Sequence, residues 1–94
     1  MNDRLQRIRS RLEEALAPLE IRLDDESHLH AGHAGAASGA GHYRVHLVSA
    51  QFEGRNRLAR HRLVYDCLQD MMQTDIHALT INAFAPSELS KDSR

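Results

Sequence analysis

The stretch from residue 28 to residue 42, HLHAGHAGAASGAGH, constrains the fold of this chain most, because neither a helix nor a strand is compatible with it. Four glycines interrupt any regular backbone pattern, and no apolar period crosses the segment. The sequence therefore predicts a long loop over about residues 26–42, between two strands. Loops longer than about 12 residues in small domains are usually functional or disordered. Four of the seven histidines lie here, so the loop is either a ligand-binding segment or a solvated linker.

The composition predicts a single domain, residues 1–94, with an aliphatic core. Hydrophobic residues make up 41% of the chain, but there is no tryptophan and there are only two tyrosines and two phenylalanines. A formal net charge of −1 provides no overall basic surface for nucleic acid. The sequence has no apolar run of membrane-span length and no signal-peptide core, so we expect a cytoplasmic protein that does not bind membranes.

Apolar periodicity predicts the elements on either side of the loop. Helical spacing before Pro18 predicts a first helix that begins at Asn2 or Asp3. Alternating apolar and polar residues predict a strand over 19–24 and a second strand over 43–48, and the two form an antiparallel hairpin. The apolar face of the first helix consists of Leu5, Ile8, Leu12, Ala15 and Leu16.

Two helical segments follow the hairpin. A single turn over residues 49–52 ends at Gly54, and Asn56 caps a longer helix. The apolar face of this longer helix consists of Leu58, His61, Val64, Tyr65, Leu68, Met71 and Met72.

The last part of the chain contains a third strand over residues 76–81 and a short helix that begins at Pro86. Residues 90–94 are expected to fray. Simple alternation divides the third strand into two faces, which are Ile76, Ala78 and Thr80 on one side and His77, Leu79 and Ile81 on the other.

The element order is therefore α-β-β-α-α-β plus a short C-terminal helix. Helices packed on one face of a three-stranded sheet would bury the apolar stripes, which predicts a two-layer α+β sandwich. Because the third strand returns after a helical crossover, it can lie parallel to its neighbour, and the sheet is expected to be mixed.

Metal ligation is the chemistry that the histidines favour. His77 lies one residue into the third strand and can project from the end of the sheet, although a histidine there is often bonded only to a backbone carbonyl. His30 and His33 are three residues apart, without the spacing of a helical HExxH site. Two neutral imidazoles nevertheless suit zinc, copper or iron, and the loop can bring one of them to His77.

The single cysteine limits which metal groups the chain can hold. Cys67 excludes an intramolecular disulfide and a CxxC site, and it is expected to pack within the longer helix. A structural zinc ion needs four ligands, and an iron–sulfur cluster normally takes thiolates. If this chain binds such a cluster, a partner must supply the sulfur.

A local basic patch at the start of the longer helix is the second candidate site. Helix N-termini attract phosphate, so contact with nucleic acid is reasonable there, although a solvated helix end explains the same residues. The patch consists of Arg55, Arg57, Arg60 and Arg62. No nucleophile motif or phosphate-cradling loop is present, so we expect no enzymatic activity.

The chain resembles the BolA family over roughly residues 5–89. Two matching stretches are specific, RHRLVY at residues 60–65 and IHAL at residues 76–79. Further matching stretches, in order along the chain, are DES at 25–27, HA at 30–31, HYRV at 42–45, LVS at 47–49 and FEG at 52–54. The resemblance implies a fold similar to the type II KH domain, in agreement with the predicted order of elements.

The resemblance also implies a function and a site. BolA proteins associate with monothiol glutaredoxins that carry a CGFS motif, and the pair shares a bridging 2Fe–2S cluster in iron–sulfur trafficking or iron sensing. The glutaredoxin cysteine and glutathione supply the thiolates, so the isolated chain is expected to bind no cluster. The family's C-terminal histidine ligand falls on His77 and its loop ligand on His30, with His28 and His33 as close competitors.

Some BolA proteins are also described as DNA-binding regulators of stress response and cell morphology, which makes DNA the alternative partner. A KH domain contacts nucleic acid through a GxxG loop, whereas residues 54–57, GRNR, have only the first glycine. The final acceptor of the cluster, the role of the complex without cluster and weak homodimerisation are left open by the sequence.

Overall fold

The structure is a computed structural model that describes residues 3–26 and 41–92. Within these two ranges, four α-helices and one 3-10 turn accompany a three-stranded sheet, which confirms the predicted α+β class and mixed sheet. In chain order the elements are α1 (Asp3–Leu16), β1 (Glu20–Asp25), β2 (Gly41–Val48), the 3-10 turn (Ala50–Phe52), α2 (Arg57–Cys67), α3 (Met71–Thr74), β3 (Ile76–Phe84) and α4 (Pro86–Asp92).

Strand β2 lies at the centre of the sheet, in the order β1-β2-β3. It pairs antiparallel with β1, as the predicted hairpin requires, and parallel with β3. Tyr43, Val45 and Leu47 alternate on its buried face, as predicted. These side chains form one apolar cluster with residues of α1, α2, α3 and β3, which confirms the aliphatic core.

Strand β3 contains a bulge that the sequence pattern does not show. Gly41 pairs with Ile76 and His42 pairs with Ala78, so His77 is an extra residue opposite the break in register. Alternation restarts after the bulge, and Ile76 and Ile81 both lie in the core. The predicted faces of the third strand are therefore wrong, because one inserted residue moves every later side chain to the opposite face.

The predicted long helix is divided into α2 and α3. Helix α2 ends at Cys67. The next residue, Leu68, has a φ of −112° and a ψ of 15°, outside the helical region, and its N–H donates to the Tyr65 carbonyl. Leu68 and Met71 are both buried on the two sides of the break, so the apolar period continues across it and hides it. Leu58 and Tyr65 are 61% and 38% exposed, so their predicted place on the buried face is wrong.

Several boundaries differ from the prediction, and β3 continues to Phe84 instead of ending at residue 81. The loop ends earlier, because Gly41 and His42 already belong to β2. Leu19 precedes β1 and is 70% exposed, so the first strand contains less apolar surface than predicted. Helix α4 continues to Asp92, beyond residue 90, where the sequence predicts fraying.

Several predicted ends of helices and turns are confirmed. The Asn56 side chain accepts a hydrogen bond from the Ala59 N–H at 2.9 Å and starts α2. Gly54, with φ of 72°, follows the 3-10 turn as predicted. Pro86 is the first residue of α4, and Glu88 accepts a hydrogen bond from the Ala85 N–H at 2.8 Å.

Ser49 ties the C-terminal end of α1 to the end of β2. The side chain is fully buried, and its hydroxyl donates to the Leu16 carbonyl at 2.6 Å. The same oxygen accepts a hydrogen bond from the Gln51 N–H at 3.1 Å and caps the 3-10 turn. One hydroxyl therefore satisfies a buried carbonyl at the helix end and an amide of the turn.

Arg60 links α2, β3 and α4, and only 12% of its side chain is exposed. Its guanidinium donates two hydrogen bonds to the Glu88 carboxylate, at 2.8 and 3.0 Å. It also donates to the carbonyls of Ala83, at 3.1 Å, and Arg55, at 2.9 Å. These contacts hold the Arg60 guanidinium within the fold, and its predicted role in nucleic-acid binding stays a prediction.

The Ser49→Ala variant is expected to lower the free energy of unfolding by about 1–3 kcal/mol, because it leaves the buried Leu16 carbonyl unsatisfied and removes the cap of the 3-10 turn. Urea denaturation of the purified chain measures this loss. Ser10→Ala, on the exposed side of α1, is the control and should change stability by less than about 0.5 kcal/mol. Equal stability of the two variants would contradict the role given to Ser49.

The Arg60→Gln variant is expected to lose about 1–3 kcal/mol of stability, because the Glu88 carboxylate and the Ala83 carbonyl lose charge-assisted partners. Amide chemical shifts of α4 should change along with the urea midpoint. Arg57→Gln is the matched control, since Arg57 is an exposed arginine three residues earlier. A loss of stability in Arg57→Gln as large as that in Arg60→Gln would contradict this difference.

Candidate functional site

The candidate site lies at the end of the sheet where β2 and β3 begin. His42 is the second residue of β2 and His77 the second residue of β3. Their ring centroids are 5.0 Å apart, with planes inclined by 57°. Parallel pairing of the two strands therefore brings two imidazoles to one place on the sheet.

His77 projects from the sheet because of the bulge. Its backbone is the extra residue between the Gly41–Ile76 and His42–Ala78 pairs, and its side chain is exposed. Bulges re-aim side chains and are frequent beside functional sites. The structure thus places His77 one residue into the third strand, at the end of the sheet, as the sequence predicts, while its role as a ligand stays a prediction.

His42 is the residue at this site that sequence reasoning missed. Its side chain is half-buried, and its Nε2 atom is buried without a hydrogen bond from the described residues, although the residue has other contacts. The sequence places His42 among the four histidines of the predicted loop, directly before the second strand, and does not single it out as a site residue. The bulge in β3, which places His77 beside it, has no signal in the sequence.

The segment 27–40 is attached to the sheet at this same end. The Glu26 N–H donates to the His42 carbonyl at 2.7 Å, and the Gly41 N–H donates to the Asp75 carbonyl at 2.9 Å. Glu26 is thus bonded to a site histidine, and Gly41 directly precedes one. His28, His30 and His33 lie outside the described residues, so their ligand roles stay predictions.

Gly41 is required by the close approach of Tyr43. A Cβ atom at position 41 would lie 2.5 Å from the Tyr43 hydroxyl oxygen and 2.6 Å from carbons of its ring. Tyr43 is 2% exposed and belongs to the core, so it has little room to move. One glycine of the glycine-rich stretch therefore serves the packing of β2, directly before His42.

Arginines neutralise the carboxylates that flank the site. Arg4 and Arg7 approach the Asp75 carboxylate at 3.2 and 3.1 Å, and Arg44 donates to Glu26 at 2.8 Å. Burial raises the pKa of Asp75, but the Thr74 hydroxyl and the two arginine charges outweigh it and hold the pKa below its ordinary value. These two carboxylates are occupied by arginines, whereas the His77 imidazole is exposed at this end.

Within residues 3–26 and 41–92 there is no group of three or more metal-ligating side chains. Cys67 is far from such a role, because its thiol donates to the Leu63 carbonyl at 3.1 Å and burial raises its pKa. Its predicted packing role in the helix agrees with this contact. The described residues therefore offer imidazole ligands and no thiolate at the candidate site.

The basic patch lines a groove of about 540 Å³ between the start of α2 and the end of β3. Arg55, Arg57 and His61 flank it, and the apolar side chains of Ile81 and Phe84 contribute to its wall. Arg55, Arg57 and Arg62 are exposed, whereas Arg60 is held by its structural bonds. The structure thus keeps three of the four arginines of the predicted patch accessible.

In the described part of the chain no helix is long and apolar enough to cross a membrane.

Comparison with known proteins identifies the family of this chain. The family model described as BolA-like protein matches residues 12–88. Among curated relatives, SufE-like protein 1, chloroplastic/mitochondrial, of Arabidopsis thaliana is 42% identical, over 95% of this chain and 25% of that protein. Protein BOLA1, chloroplastic, of the same plant is 43% identical over 98% of this chain and 60% of its own length. BolA-like protein 1 of Homo sapiens is 41% identical, with coverage of 93% and 61%.

This chain spans less than two thirds of the length of these curated relatives. The names of the two plant proteins give organelles, so they do not confirm the cytoplasmic expectation.

Solved structures agree with the family match. The BolA domain of SufE1 from Arabidopsis thaliana superposes with a TM-score of 0.83 and 41% identity, over 94% of this chain and 98% of that chain. BolA1 from the same plant gives a TM-score of 0.79 and 39% identity at the same coverage. The chain belongs to the BolA-like protein family.

Proposed function

We propose that this chain is a non-enzymatic adaptor that binds a monothiol CGFS glutaredoxin and shares a labile 2Fe–2S cluster with it. The cluster is cargo that the pair passes on in iron–sulfur trafficking and iron homeostasis. The observation that carries the proposal is the exposed imidazole of His77, presented by the β3 bulge at an end of the sheet that has no thiolate among the described residues.

The donor set fits a shared cluster better than a cluster held by this chain alone. Iron–sulfur clusters are normally held by thiolates, but imidazole replaces thiolate on one iron in Rieske centres. Cys67 is engaged with Leu63 in α2, so sulfur has to come from the glutaredoxin cysteine and from glutathione. On this proposal, the isolated chain binds no cluster.

His77 and a loop histidine are the proposed ligands from this chain. Among the loop residues His30 is the leading candidate, with His28 and His33 as competitors, and all three lie in the segment whose two ends are attached beside His77. A neutral imidazole carries less negative charge than a thiolate, so it raises the potential of the cluster. Protonation of the imidazole releases the metal, which suits a cluster that has to be passed on.

The His77→Ala variant, co-expressed with a CGFS glutaredoxin, is expected to lose most of the cluster stability of the wild-type pair. The visible absorption and the EPR signal of the reduced cluster should change, because one iron loses its imidazole ligand. The half-life of the cluster under a chelator provides the measurement.

His46→Ala is the matched control for this experiment. His46 lies on β2, four residues after His42, and its ring packs 5.4 Å from that of Phe84, away from His77. The control should keep the wild-type spectrum and half-life. If His77→Ala matched the control, His77 would not be a ligand and the proposal would fail.

DNA binding is the second candidate function, and the groove beside α2 favours it. Arg55 and Arg57 flank this groove, and Arg62 adds a third exposed cation nearby. Phosphates attract such a surface regardless of base sequence. Arg60 contributes no free charge, and the GxxG loop of KH domains is incomplete.

Neutralising Arg55, Arg57 and Arg62 together is expected to abolish any gel shift with duplex DNA, because these three are the exposed arginines of the basic patch. Arg60 is left intact, so the fold is preserved. The affinity of the wild-type chain should fall steeply with salt. DNA binding that survives the triple substitution would contradict this interface, and no binding at low salt would eliminate the second candidate.

A further inference from the structure

The ring of His42 is the fixed surface against which His77 lies. His42 is on the central strand β2, its carbonyl accepts the Glu26 N–H, and the preceding residue Gly41 is bonded to Asp75. Its side chain is half-buried, whereas His77 is exposed. One imidazole of the pair is therefore anchored in the sheet, and the other lies on it from the solvent side.

The separation of the two rings fits direct packing. Aromatic pairs prefer centroid distances of about 4.5–7 Å in tilted or offset arrangements. The His42 and His77 centroids are 5.0 Å apart, with an interplanar angle of 57°. An exposed side chain at a bulge is otherwise free to exchange between rotamers, so this contact restricts the directions in which His77 can present its ring nitrogens.

We propose that His42 is a positioning residue, whose ring holds the His77 imidazole in the orientation that ligates the cluster. This inference rests on the function proposed above and assigns a role to a residue outside its ligand set. The buried Nε2 atom of His42 faces protein, so the contribution of His42 is the packing surface of its ring.

Substitutions can distinguish a packing role of His42 from a role as a ligand. A ligand requires a nitrogen atom, whereas a packing surface requires only a ring of similar shape. His42→Phe keeps a ring without nitrogen, and His42→Ala removes the ring. His42→Ala therefore impairs the complex in either role, whereas His42→Phe impairs it only if His42 is a ligand.

The experiment uses the complex of each variant with a CGFS glutaredoxin, loaded with a 2Fe–2S cluster. His42→Ala should lose the cluster roughly three- to tenfold faster to a chelator than the wild type, as expected for the loss of one aromatic contact. Pulsed EPR of its reduced cluster should still show nitrogen coupling, but with a broadened distribution. His42→Phe should restore the wild-type rate and the narrow coupling.

Two outcomes overturn the positioning role. If His42→Phe loses nitrogen coupling and stability as His42→Ala does, the nitrogen of His42 is needed and the packing role is wrong. If both variants match the wild type while His77→Ala loses the cluster, the positioning role is wrong and the proposed function stands. No effect of His77→Ala would instead overturn the proposed function itself.

A measurement on the wild-type chain without cluster makes the test independent of variant folding. Nuclear Overhauser effects between the ring protons of His42 and His77 should be observed in the isolated chain, because their centroids are only 5.0 Å apart. Their absence would overturn the contact. Urea midpoints of the His42 variants establish that cluster loss is not caused by unfolding.

Discussion

The parallel pairing of β2 with β3, offset by one extra residue, is the constraint on which the candidate site depends. In a regular ladder His77 would occupy one of two alternating faces, and the core positions of β3 would be out of phase with those of β2. The bulge places His77 outside the ladder while Ile76 and Ile81 remain in the core. Packing of the sheet and presentation of the histidine are thus satisfied by the same irregularity.

The metal-binding chemistry of this end of the sheet depends on which side chains are not already engaged in other contacts. Asp75 and Glu26 are paired with arginines, and Cys67 is bonded within its own helix. Two imidazoles remain at this end, that of His77, exposed on β3, and that of His42, half-buried on β2. A site built from imidazole suits a cluster whose sulfur ligands come from another protein, because such a ligand is neutral and releases its metal on protonation.

Local patterns predict most of the fold, since alternation and helical spacing report directly on which side chains are buried. They locate the hairpin, the Asn56 cap and His77 itself. They do not reveal the bulge, because residues 76–81 alternate regularly in sequence. Only the pairing with β2 shows that His77 is an extra residue. They also do not reveal the break between α2 and α3, because the apolar period continues across it. The contact of Arg60 with Glu88 is hidden as well, since these residues are distant in sequence.

Native mass spectrometry of the chain mixed with a cluster-loaded CGFS glutaredoxin tests the central claim most directly. The account predicts that the glutaredoxin homodimer converts to a heterodimer with one copy of this chain, whose mass includes one 2Fe–2S cluster and glutathione. The conversion should fail with His77→Ala. A glutaredoxin that keeps its cluster as a homodimer in the presence of excess wild-type chain would contradict the account.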